Sequence, residues 1–106
     1  MSQMKIDKST GEILRAKREE KGLLLRQVAA KLDIDTAILS KIERSERKAS
    51  KLQIIKLAEI LDLKEEDLIV QYLSEKILYE IQDEKLGQKA LKVAEQRMKY
   101  INRKKA

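Results

Sequence analysis

A chain with no proline, and with glycine only at positions 11, 22 and 87, contains almost nothing that stops a helix. The residues between those glycines are rich in Leu, Ile, Lys and Glu, and Phe and Trp are absent. An all-α fold is the expectation, with helix ends set by caps and short polar breaks instead of by proline. The 106 residues suffice for one domain with a modest core.

Read along the chain, the helices punctuate themselves. Residues 1–9 are polar and aperiodic and are expected to be a flexible lead-in. Thr10 can cap a first helix, GEILRAKREEK, and Gly22 marks its end. LRQVAAKL follows, with Leu25, Val28, Ala29 and Leu32 on one side. After the break DID, in which Asp33 tolerates positive φ and Asp35 is a good N-cap, a third helix spans about 36–44. Ser50 and Gln53 form the S-x-x-Q signature that opens a fourth helix through Leu61. A fifth opens near Glu65, where three acids in the first turn suit the positive end of the helix dipole.

Charge is distributed in blocks. Residues 1–58 carry 14 Lys or Arg against 8 Asp or Glu, residues 59–84 carry 2 against 9, and residues 85–106 carry 8 against 1. A basic front of this kind suggests a polyanion as ligand. With no His and no Cys, the usual near-neutral proton shuttle, thiolate chemistry and Cys or His metal ligands are unavailable, and the three glycines stand too far apart for a phosphate loop. No enzyme activity, metal or cofactor is expected. No apolar run approaches bilayer length, MSQMKIDKST lacks the apolar core of a signal peptide, and the absence of Cys suits a reducing compartment. A cytoplasmic protein without a membrane partner is expected.

The informative stretch is DIDTAILSKIERSERKAS. Two short helices around a tight break, the second opened by Asp35, describe a helix-turn-helix. Leu39 and Ile42 supply a buried stripe on the second helix, and Ile38 reads as additional core. Thr36, Ala37, Ser40, Lys41 and Arg44 project on the other side. Short side chains near the helix start let the backbone approach a major groove, and Lys41 is long enough to reach a guanine edge or a phosphate.

The segment EILRAKREEKGLLLRQVAAKLDIDTAILSKIERSERKASKLQIIKLAEILDL resembles the Xre-type helix-turn-helix domain of phage repressors and Cro-like regulators. REEKGL, QVAAKLDI, LSKIERSER and KLAEILDL carry the resemblance, in that order and spacing, over about residues 10–70. It implies a five-helix lambda-repressor-like domain, operator DNA as ligand and a two-fold dimer. It assigns base reading to Thr36, Ala37 and Lys41, and positions that face or flank the backbone to Ser40, Arg44 and Lys48; the expected base-reading set is Thr36, Ala37, Ser40 and Lys41, and Arg47 joins the backbone set. It also implies a partly buried ion pair between Arg18 and Glu43 that fixes the recognition helix. The chain departs from the family at Leu24 and Leu25, where a hydroxyl and a DNA-touching Gln are usual. Arg26 or Gln27 would stand in for that backbone contact. Asp33 replaces the usual Gly, and Ala37 offers only a methyl, suited to a thymine methyl.

Residues 71–106 are an addition to that domain, either one helix or two hinged at Gly87. Val70, Leu73, Ile77 and Ile81 continue an apolar stripe, and Leu91, Ala94, Met98 and Ile101 follow a 3-4-3 spacing. Such helices bury little alone, so a partner surface is expected, with a homodimer as the commonest solution. The five basic residues of RMKYINRKKA read as a solvated helix end, with an extra DNA-backbone arm as the alternative. The expected function is a homodimeric, sequence-specific transcriptional regulator on a palindromic double-stranded operator. The alternative is an antitoxin-like or adaptor module whose C-terminal helices bind a protein partner.

Overall fold

A computed structural model describes residues 6–105, so residues 1–5 of the expected lead-in lie outside the described residues. The described residues form six helices: α1 (Thr10–Glu20), α2 (Leu25–Leu32), α3 (Thr36–Glu43), α4 (Lys51–Ile60), α5 (Glu65–Ile81) and α6 (Gly87–Lys105). They divide into two compact units, the first closing at Glu75 and the second opening at Lys76. The boundary expected at residue 70 therefore falls inside α5.

In the first unit, Leu14, Val28, Leu39, Ile54, Leu57 and Leu61 are the largest fully buried side chains, drawn from α1 through the end of α4. Each such side chain contributes roughly 1.5–3 kcal/mol when taken out of water, which makes this cluster the main source of the unit's stability. The short breaks between helices follow one device. At the end of α1, Leu23 N–H reaches back to the Arg18 carbonyl and Gly22 N–H to that of Glu19. The same two bonds recur at Ile34 and Asp33 after α2, at Glu46 and Ser45 after α3, and at Leu63 and Asp62 after α4. These are Schellman closures, which satisfy the last carbonyls of each helix and reverse the chain within a few residues. Three of them place a non-glycine residue in the left-handed region: Asp33 (φ 59°), Ser45 (φ 62°) and Asp62 (φ 56°). Leu23, Ile34 and Leu63, each one residue further on, pack against the core and anchor the reversal.

The helix starts differ from expectation in two places. The N-cap of α1 is Ser9, not Thr10: Ser9 Oγ accepts from Glu12 N–H at 3.1 Å and Glu12 returns a bond to Ser9 N–H. Thr10 is pulled inward because its N–H and its Oγ1 both donate to the Glu75 carboxylate at 2.6 Å. Gln71 donates to the Lys8 carbonyl at 3.1 Å. These bonds from α5 tie down residues 8–10, so the end of the lead-in is ordered, and they carry the first unit to Glu75. Asp35, the second case, occupies the N-cap of α3 with an extended backbone, but its side chain makes no capping bond. Ser50 and Gln53 form the reciprocal capping box that opens α4.

In the second unit, α5 stops at Ile81 and α6 starts at Gly87, so there are two helices, and the break lies before the glycine instead of at it. Gln82 and Glu84 close the turn through bonds to the carbonyls of Leu78 and Ile81. A Cβ on Gly87 would collide with the Ile81 carbonyl oxygen, so only glycine fits where α6 begins. No helix of the described residues is long and apolar enough to cross a membrane.

Candidate nucleic-acid interface

On α3 the two faces separate by burial. Leu39 and Ile42 are buried in the core cluster, and Ile38 packs against it as a partly buried neighbour. Thr36, Ala37 and Lys41 are exposed, Ser40 is half-buried beside them, and Arg44 continues the exposed row at the helix end. Apart from Lys41 and Arg44 this row is short, so the backbone of α3 stands close to whatever it meets.

The orientation of α3 is fixed from α1. Arg18 Nε and Nη2 donate to the two Glu43 carboxylate oxygens at 2.7 and 3.0 Å, and Nη1 donates to the Leu23 carbonyl at 2.9 Å. The Arg18 and Glu43 side chains are 12% and 5% exposed, so this forked pair works in a largely dry setting. The hydrogen bonds that Arg18 donates to Glu43 raise the Arg18 pKa above its ordinary value, against the opposing effect of burial. A raised pKa stabilises the fold fully below the unfolded value, which for arginine lies far above the physiological range. Raising the pH through the physiological range therefore leaves the arginine half of the pair charged. A second contact lies beside it. A Cβ on Gly11 would collide with the Ile42 carbonyl oxygen and come within 2.6 Å of that of Glu43, so α1 meets the last turn of α3 at backbone distance. Ser45 Oγ donates to Ser9 Oγ at 2.9 Å and ties the loop after α3 to the cap of α1. Neither Gly11 nor Ser9 stands out in the sequence, because neither departs from an ordinary helix start. Only the tertiary approach gives them a role.

The flanking residues have mixed surroundings. Leu24 has no side-chain acceptor, but Gln27 Oε1 accepts from its N–H at 2.8 Å, supplying one half of a cap at the start of α2. Gln27 is thus engaged within the chain, while Arg26 next to it is exposed. Arg44 pairs with Glu46 at 3.1 Å with both side chains about half exposed, so a phosphate at Arg44 competes with an intramolecular carboxylate. Arg47 and Lys48 are exposed in the loop that follows. Among the described residues no group of three or more acidic side chains is arranged to hold a metal ion. Away from α3, Leu73, Ile77, Leu91, Met98 and Ile101 are 43–62% exposed, Ala94 is exposed and Ile81 is half-buried.

A five-helix domain that holds its third helix by an ion pair and presents a short, polar and basic row outward is a DNA-binding domain of the helix-turn-helix class. The helix-turn-helix family pattern matches residues 14–68, and the chain belongs to that Xre-like family. The chain is similar to solved structures, two of which show what the likeness covers. One is the master regulator for biofilm formation SinR in complex with DNA, 30% identical, with a TM-score of 0.51 over 57% of this chain and 97% of that one. The other is the SinR–SinI protein complex, 22% identical, with a TM-score of 0.51 over 88% of this chain and 97% of that one. No curated protein matches the chain at a significant level.

Proposed function

We propose that the protein is a homodimeric transcriptional regulator that reads a specific double-stranded operator with α3 in the major groove. The observation that carries this reading is the outward row of α3. Thr36, Ala37, Ser40 and Lys41 stand on the face opposite the buried Leu39 and Ile42. Lys41 donates to a guanine edge, Ala37 offers a methyl to thymine, and Thr36 and Ser40 bond to base or backbone. Arg26, Arg44, Arg47 and Lys48 meet phosphates around the groove, with Gln27 contributing from α2. That one of the similar structures is SinR bound to DNA supports the same assignment. Two copies related by a two-fold axis would set their α3 helices about 34 Å apart, one turn of DNA, and require a palindromic site.

The dimer is supported by the half-exposed apolar residues of α5 and α6, which water covers in a single chain. The same residues support the second reading, an adaptor or antitoxin-like module that holds a different protein. Sedimentation of the protein alone separates the two: a dimer favours the first, a monomer the second. The DNA reading is tested by selecting bound fragments from genomic DNA and titrating the enriched sequence at 50 and 200 mM salt. A dimer making roughly 6–10 phosphate contacts is expected to lose about 10³–10⁵ in affinity across that range, on a site that reads as an inverted repeat. No enriched sequence, or binding indifferent to salt, would overturn the proposal.

A further inference from the structure

We infer that α6 carries a second DNA-contacting surface, a basic face that holds phosphates of duplex DNA. The inference rests on the DNA-binding reading above but not on the dimer. At 3.6 residues per turn, Lys89, Lys92, Lys99 and Arg103 fall within an arc of about 80° on α6. All four are exposed, and Gln96 lies among them. Leu91, Ala94, Met98 and Ile101 lie on the opposite side of the helix. Whatever covers the apolar side leaves the basic side open.

These charges are also unspent. In the first unit Arg15, Lys17, Arg18 and Arg44 each have a carboxylate within 3.5 Å, at Glu19, Glu20, Glu43 and Glu46. None of the four α6 residues is in an ion pair with a described residue. The only acid on α6 is Glu95, outside the arc. Helix α5 of a second copy is a poor source of counter-charge as well. The five acids of α5 (Glu65, Glu66, Asp67, Glu75 and Glu80) are spread around that helix without forming an acidic face, and Glu75 already accepts from Thr10. A regular polyanion fits better. Lys89 to Arg103 spans roughly 21 Å of helix, the length of about six base pairs at ~3.4 Å per step. In a chain that binds duplex DNA, the polyanion already present is the sugar-phosphate backbone. Contacts of this kind add affinity and salt dependence but carry no base preference.

The test uses the full-length protein with Lys89→Gln, Lys92→Gln, Lys99→Gln and Arg103→Gln, singly and combined. Glutamine keeps helix propensity and a polar side chain while removing charge. Binding to the selected operator and to a 40-base-pair random duplex is followed against salt. For the wild type, the slope of log affinity against log salt is expected to be steeper than for each single variant by about 0.9, and steeper than for the combined variant by roughly 3–4 per protomer. The ratio of operator to random affinity should stay constant. The single variants serve as the reading if the combined one changes its association state. Unchanged slopes in wild-type and variant proteins overturn the inference while leaving operator recognition by α3 standing. A wild type that binds no duplex overturns both. Binding of the wild type to phosphatidylserine vesicles that is lost in the variants, with DNA slopes unchanged, assigns the face to an anionic membrane and also overturns it.

Discussion

Lys41 and Lys48 are both exposed lysines close to the proposed groove, yet their positions give them different work. Lys41 is one turn beyond Ala37 on the outward row of α3, whereas Lys48 follows α3 in an irregular loop. A side chain that meets a base edge discriminates among base pairs, and one that meets a phosphate does not. Lys41→Ala is therefore expected to cost about 1–3 kcal/mol on the selected operator and to relax preference at one base pair. Lys48→Ala should weaken operator and random duplex by the same factor. Parallel titrations of both variants on both duplexes check this, and equal losses for the two lysines on both DNAs would return Lys41 to the backbone set. At this scale much was legible beforehand, because residue type and helical spacing decide which side of α3 is outward. The left-handed Ser45 and Asp62 were not, since neither is the glycine or asparagine that usually signals such a position. Their conformation is imposed by Schellman bonds, and after α4 also by the docking of Leu63 on the core. None of these is visible in a single residue's identity.

Between elements, the contact that matters most for the site is the seat of α3 on α1. The forked Arg18–Glu43 pair and the backbone approach at Gly11 act on the same turn of α3, one through charge and the other through absence of a side chain. Removing one partner of a buried pair leaves an uncompensated charge, so Glu43→Ala is expected to cost about 3–5 kcal/mol of unfolding free energy. Replacing both, Arg18→Met with Glu43→Leu, should recover most of that loss. Gly11→Ala cannot be absorbed by a rotamer change, because the atoms it meets are backbone carbonyls. It should destabilise the first unit and lower operator affinity together, even though residue 11 is buried and lies outside the outward row of α3. Urea unfolding of the three variants, with operator titration beside it, measures both effects. The pair was readable from the family resemblance, and the helices from their spacing and caps. The glycine contact was not, because it exists only once α1 and α3 have docked. The start of α1 was misplaced by one residue for a similar reason: Thr10 has a capping side chain, but Glu75, 65 residues away, takes its hydroxyl and leaves the cap to Ser9.

For the molecule as a whole, the open question is what the apolar surface after residue 70 is for. Leu73 and Ile77 on α5 and Leu91, Met98 and Ile101 on α6 remain about half exposed in the single chain, a cost that no contact within either unit offsets. Burying a few such side chains against a second copy contributes roughly 1.5–3 kcal/mol each, enough together to sustain a dimer. If that dimer delivers two α3 helices to one operator, the second half-site is bound at a high effective concentration, an advantage on the order of 10²–10⁴ in affinity. Truncation after Glu84 removes α6 and leaves intact every bond that holds α5 to residues 8–10. The shortened protein is expected to unfold in urea as the first unit of the full chain does and to sediment as a monomer. Its affinity for the palindromic site should fall by about 10²–10⁴, while its affinity for an isolated half-site falls only by the phosphate contacts that α6 supplies. Comparing one half-site with two thus separates lost dimerisation from lost backbone contacts. A truncated protein that stays dimeric and holds the two-site operator as tightly as the full chain would place the dimer interface in the first unit and give the apolar stripes of α5 and α6 to another protein.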